Sequence, residues 1–313
     1  MATMVIKGKK MKSVDVDWKE FYYTNCPLIS PSNVDQELGW VKEELKKIGS
    51  SKSLNVIKND WWRVQEEQGI ELMLMLNDMT RDDVQIVEFP YPDDWYDKPE
   101  MLTPMENPSE LWLKRDHKHD LAFRPLETAL LNGVVDAIYT QSKVFQHIQE
   151  QTGKIKAIEN LANYPDWTLQ GANVPATCTV SDVACQEHPE LVVTLLKGLI
   201  KVGRWANEHK HAAAAILDKQ TYYLDVEDTN RALQTIDLVP SLSPYNLQAL
   251  QINKDFMLSH GYIEHDFDVF EWAAPEFMEK AAAELLEEEW KKRSMARLPA
   301  PTTLEEAMSA RLG

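Results

Sequence analysis

In "DWKEFYYTNCPLIS", Cys26 sits between Asn25 and Pro27, just where the aromatic run Phe21-Tyr22-Tyr23 ends. A thiol can serve as nucleophile or proton donor once a neighbour sets its pKa. The aromatic run favours extended backbone, and Asn-Cys-Pro has the chemistry of a strand passing into a loop. Pro27 holds Cys26 in extended geometry. A strand end is where open α/β sheets bind ligands. The same position also suits a small buried filler, so both readings stand on position alone. The second group is "IGSSKS", read as a Gly-Ser turn leading into a helix and offering N–H groups and the hydroxyls of Ser51 and Ser53 to an anion. "DWW" follows, and Trp61 and Trp62 cannot both face one core; one of them lines a pocket, or both serve packing. His117 and His119 alternate with acids in "RDHKHD", which reads as a solvated loop before a metal site. His209 and His211 end a helix, where imidazolium suits the dipole. The sequence holds no Gly-rich phosphate loop, HExxH, GxSxG or paired CxxC.

These groups need elements to hold them. Leu38, Val41 and Leu45 share helical spacing, and Gly49 with the serines after it makes a turn. "NDWWRVQEEQGIELMLMLNDM" predicts a helix capped by Asn59 or Asp60. "DDVQIVEFPYP" reads as a strand ended by prolines, and residues 91–124 as an irregular excursion. "RPLETALLNGVVDAIYTQ" predicts a helix, a turn at Asn132-Gly133 and a buried strand from Val134 to Tyr139. "NVPATCTVS" reads as a further strand. From Pro189 to His209, an amphipathic helix places Val192, Leu195, Leu196, Leu199, Val202 and Ala206 on one face. The remainder is mostly helical, with a Pro-rich end. Helices alternating with short buried strands argue α/β.

The chain of 313 residues suffices for two domains or one large one. Its 33 basic and 50 acidic side chains leave a net charge of −17, a surface that repels phosphate backbones, so no nucleic-acid partner is expected. "IKGKKMK" is a short basic exception and reads as a solvated tail. Three cysteines make no disulfide framework, and the start lacks an apolar secretory core. No stretch reaches the ~20 apolar residues of a membrane span. A cytoplasmic protein with reduced thiols is expected.

"YTNCPL", "GVVDAIYT", "HPELVVTLLKGLIKVGRWANEH" and "FMLSHGYI…EWAAPEF" occur in that order. Together they resemble the aromatic sulfinate desulfinases, the 2'-hydroxybiphenyl-2-sulfinate desulfinase-like branch, over about residues 19 to 285. The resemblance implies an α/β, two-lobe type II periplasmic-binding-protein-like fold with a truncated first lobe and a helical C-terminal region. Lobe one would comprise residues 19–46 and 181–295, lobe two 47–180, with tails at 1–18 and 296–313. "LGWVKEELKK" looks like the first helix of lobe one and "KKIGSSKS" like the opening of lobe two. They adjoin near Lys46, where the family has a run of strands and helices, so an internal deletion is implied. That run carries the family's sulfinate-holding histidine and Arg-x-x-Gly turn, and no residue here matches them. Arg63, Arg115 and Arg124 are the candidates to substitute.

By this resemblance Cys26 matches the catalytic cysteine, on the loop after the first strand. Asn25, Ser51, Ser53 and Trp62 are the expected substrate-binding residues. The implied activity is cofactor-free, metal-free hydrolysis of the C–S bond of an aromatic sulfinate, releasing sulfite. The alternatives are an intracellular module binding a small aromatic or sulfur-containing anion without turnover, or an inactive truncated homologue. No protein partner is implied. A shortened first lobe is expected to be mostly helical, with few strands and weaker protection.

Overall fold

The computed structural model of the protein describes residues 5–6, 9–10, 19–23, 29–54, 61–87, 125–140, 148–161, 164, 177–220, 226–234 and 236–295. Two short ladders come first. β1 (Val5–Ile6) pairs antiparallel with β2 (Lys9–Lys10). β3 (Glu20–Tyr23) pairs in parallel with a later strand, β4 (Ser51–Leu54), in the register Glu20↔Ser51 to Tyr23↔Leu54. The aromatic run before Cys26 is therefore extended, as its β propensity requires.

Between the paired strands lie α1 (Pro31–Leu38) and α2 (Trp40–Lys47). Ser30 caps α1 by accepting from the Asn33 N–H, and Pro31 occupies the first turn, where no N–H is needed. The single helix suggested by Leu38, Val41 and Leu45 is broken at Gly39, whose φ of 67° lies in the left-handed region. Asp35 holds the corner from inside: its own C=O accepts from the Gly39 N–H, and its carboxylate accepts from the Val41 N–H at 3.0 Å. That carboxylate is buried, so the corner is fixed by a bond that water does not compete for.

Next come α3 (Trp61–Leu76), a short 3₁₀ turn (Arg81–Asp83) and α4 (Pro125–Leu131). The C-terminal part holds α5 (Asp182–Glu187), α6 (Pro189–Glu208), α7 (Lys210–Gln220), α8 (Val226–Leu233), α9 (Pro244–Ser259), α10 (Val269–Trp272) and α11 (Pro275–Met295). Helix α6 is the hub. Val202 and Ala206 join Val34, Leu217 and Leu233 in one apolar cluster. Leu191 and Leu199 meet Val41 and Leu45 in a second, and Val193 and Ile200 meet Ala281 and Leu285 in a third. The sequence shows one apolar face; the structure buries three sectors, because α1, α2, α7 and α11 all touch this helix. Close approach on two sides needs glycine. A Cβ on Gly198 would meet Val41 at 2.6 Å, and one on Gly203 would collide with the Leu238 carbonyl.

The α/β expectation gives way to a mostly helical molecule. Val134–Tyr139 follows the expected turn at Gly133 but forms no strand, and Val134 is 64 % exposed. Residues 84–87 of "DDVQIVEFPYP" and 177–180 of "NVPATCTVS" are likewise irregular. A short apolar run becomes a strand only when a partner supplies the ladder, and among the described residues these runs have none. The helix expected at 189–209 is present nearly to the residue, ending where the His209 N–H donates to Trp205 O.

Candidate functional site

The parallel β3–β4 pair defines one edge. Both strands run the same way, so the carboxyl ends at Tyr23 and Leu54 lie side by side. The chain leaves β3 toward Asn25 and Cys26, which themselves lie outside the described residues, as do His117, His119, Arg115 and Arg124.

The Gly-Ser turn leads into β4, not into a helix, and this corrects its reading as an anion cradle. The N–H groups of Gly49, Ser50 and Ser51 donate to the carbonyls of Lys46, Leu45 and Lys19. Ser51 opens β4 at the amino edge, opposite Glu20, and its hydroxyl donates to Lys19 O at 3.3 Å. The turn closes α2 and locks β4 onto the residue before β3. Ser53 stands beside Tyr22, nearer the carboxyl edge.

Trp62 lies in the first turn of α3, with its side chain outside the described residues. The rest of α3 carries two groups that sequence reasoning missed. Glu66 is largely removed from water, and burial, with the nearby Glu127 charge added, pushes its carboxyl from the ordinary 4.5 up to about 7. Glu127 of α4 is buried and accepts from the Thr140 hydroxyl at 2.8 Å. Beside them Gly69 lies so close to the Tyr139 ring that no Cβ would fit.

The second group is a charged clasp. Arg81 donates through Nη1 to both Glu67 Oε1 and Glu71 Oε1, the latter at 2.7 Å. The Tyr262 hydroxyl donates to Glu67 Oε2, and His260 Nε2 lies 2.9 Å from Glu71 Oε1. Against the burial that would raise it, Tyr262 and Arg81 hold the Glu67 carboxyl below its ordinary range. His260 stacks on Phe256 with ring centroids 4.0 Å apart. Beside the clasp, Asn253 donates to the buried Gln68 at 2.7 Å. One ligand atom from each of Glu67, Glu71 and His260 lies within 4.8 Å of the others, so these three could hold a metal ion. The visible signal was the i, i+4 spacing of two glutamates on one helix.

A shallow cleft elsewhere is lined by Gln251, Lys254, Asp266, Phe267, Asp268 and Phe270. Its ammonium, Lys254, is held between Asp255 and Asp266 at 2.6 Å each. That charge is satisfied within the chain and is poorly placed to hold an external anion. Of the described thiols, burial and the charges of Asp182 and Glu276 push Cys185 up, away from the thiolate form that a nucleophile needs.

These elements define a class: a largely helical protein, packed around one central helix, with a short parallel strand pair. The fold is similar to that of solved structures of the desulfurization enzyme DSZB. One aligns with a TM-score of 0.57 at 13% identity, covering 85% of this chain and 99% of that one. A cysteine-to-serine mutant of DSZB, solved in complex with biphenyl-2-sulfinic acid, aligns at 0.55 and 14%, with the same coverage. The likeness is one of fold. No protein-family model and no curated protein sequence matches the chain. Among the described residues, no helix is long and apolar enough to cross a membrane.

Proposed function

We propose that this protein is a desulfinase-like hydrolase that cleaves the C–S bond of an aromatic sulfinate, with Cys26 at the reacting position. The observation that carries the reading is the DSZB-like fold over 85% of the chain. The "NCP" cysteine follows the end of β3 by three residues in the sequence, which supports it. The ligand of the DSZB mutant complex indicates the substrate class, a planar aromatic ring carrying a sulfinate. The balanced reaction is Ar–SO2⁻ + H2O → Ar–H + HSO3⁻. The C–S bond breaks, the ring carbon gains a proton, and water oxygen joins sulfur. Cys26 serves either by attacking sulfur or by protonating the ring carbon as sulfur departs. The two-lobe arrangement belongs to the same reading. Residues 19–46 with 181–295 form one lobe and 47–180 the other, and Asn25, Ser53 and Trp62 face the ligand. Ser51 stands at the far end of β4 and contributes by fixing that strand.

One observation bears on the alternatives without turnover. Two described guanidiniums are already engaged by carboxylates, Arg81 by Glu67 and Glu71, and Arg204 by Glu289. Neither is available to grip the sulfinate oxygens. The test is product analysis alongside calorimetry on biphenyl-2-sulfinate. Desulfination requires sulfite and biphenyl from the wild type and neither from Cys26→Ser. Saturable wild-type binding with no product would replace the enzyme by an anion-binding module.

A further inference from the structure

We propose that Glu67 and Glu71 of α3, with His260 at the end of α9, form a divalent-cation site of the zinc class, which the Arg81 guanidinium fills when no metal is bound. The site is independent of the Cys26 chemistry. One imidazole and two carboxylates are a donor set for Zn2+ and its first-row neighbours. The two glutamates are one turn apart on one helix face, and the three ligand atoms lie within 4.8 Å of one another.

His260 supplies a second observation, from outside the acidic pair. Its Nδ1 lies 2.9 Å from the Phe256 carbonyl and 3.0 Å from the Ser259 hydroxyl, which together fix the ring's orientation. The other ring nitrogen, Nε2, lies 2.9 Å from a carboxylate oxygen of Glu71, so imidazole and carboxylate already meet at one point, with Glu67 beside them. A ring nitrogen held by a backbone carbonyl, with the other left free to ligate, is how metal-binding histidines are oriented. Arg81 shows that the two carboxylates already converge on one cation. The side chains of Glu67, Glu71 and His260 are 16, 25 and 24 % exposed, which leaves an ion a route in. Bound there, it would tie α3 to α9 more firmly than the tethered guanidinium does.

The test titrates Zn2+ into the full chain after chelator treatment, with Tm shifts and Co2+ absorption as further readouts. Thiols are zinc ligands in general, so the site is assigned by difference. Glu71→Gln and His260→Asn should each weaken binding at least about tenfold and abolish the zinc-induced rise in Tm. Arg81→Ala should bind more tightly, because the competing cation is gone. The Co2+ spectrum should lack the thiolate charge-transfer band. No zinc binding by the wild type, equal affinity in Glu71→Gln and His260→Asn, or a thiolate band would overturn the proposal. If those two variants fail to fold, Arg81→Ala decides alone: tighter binding upholds the site, and unchanged or weaker binding removes it.

Discussion

The hub around α6 and the region around α3 are held by different forces. At α6, side chains from α1, α2, α7 and α11 close apolar seams, with Val34, Val202 and Leu217 fully buried. At α3, polar contacts to α9 and to the residues just after it run through Asn253–Gln68, Tyr262–Glu67 and His260–Glu71. Apolar burial carries no titrating group, whereas paired charges and buried carboxyls respond to pH and to ionic screening. The hub should therefore set the global stability, and the α3 region should set its response to solution conditions.

The largest effect is expected at the hub. Leu217→Ala removes a fully buried side chain and should cost about 2–5 kcal/mol in urea unfolding. A loss below about 1 kcal/mol would mean that this cluster is not the core.

The next effect belongs to Glu66. Its folded pKa, about 7, lies above the ordinary 4.5, so the folded state holds a proton that the unfolded state releases. Its stabilising contribution is fully present below about 4.5 and is lost as pH rises toward 7. The whole effect is at most about 3 kcal/mol, by the usual conversion of pKa to free energy. Glu66→Gln should flatten stability between those limits and leave the variant more stable than the wild type at pH 8. An unchanged pH slope would place Glu66 in water.

Smaller effects separate partly buried from exposed ion pairs. Lys201→Met takes a partner from the mostly buried Glu44, which keeps Lys47, so a loss of about 1–2 kcal/mol is expected. Arg204→Ala breaks a pair with both side chains about half exposed and should change stability by less than about 0.5 kcal/mol. Similar losses in the two variants would erase the distinction between them.

The sequence made the hub legible because a 20-residue amphipathic helix repeats its signal many times over. Phe21 to Tyr23 were legible as a strand for the same local reason. The strand reading of Val134–Tyr139 failed because pairing is a long-range property, and Asp136 and the exposed Val134 mark a segment without a sheet to join. The Gly-Ser turn misled because Gly49, with φ at 75°, can open a strand as readily as a helix. The α3 clasp was invisible because Arg81 and His260 lie 179 positions apart in the chain. Only Glu67 and Glu71 share a local pattern, and i, i+4 glutamates occur on many solvated helices.

The most direct measurement of the proposed function is ligand protection of the thiols, followed by mass spectrometry. Cys26 and the exposed Cys178 are alkylated with iodoacetamide, with and without biphenyl-2-sulfinate. If the aryl sulfinate binds beside the loop after β3, alkylation of Cys26 should slow at least about tenfold near saturation while Cys178 is unaffected. Equal rates at Cys26 with and without the ligand, at concentrations where calorimetry shows binding, would place the anion elsewhere and contradict the proposed site.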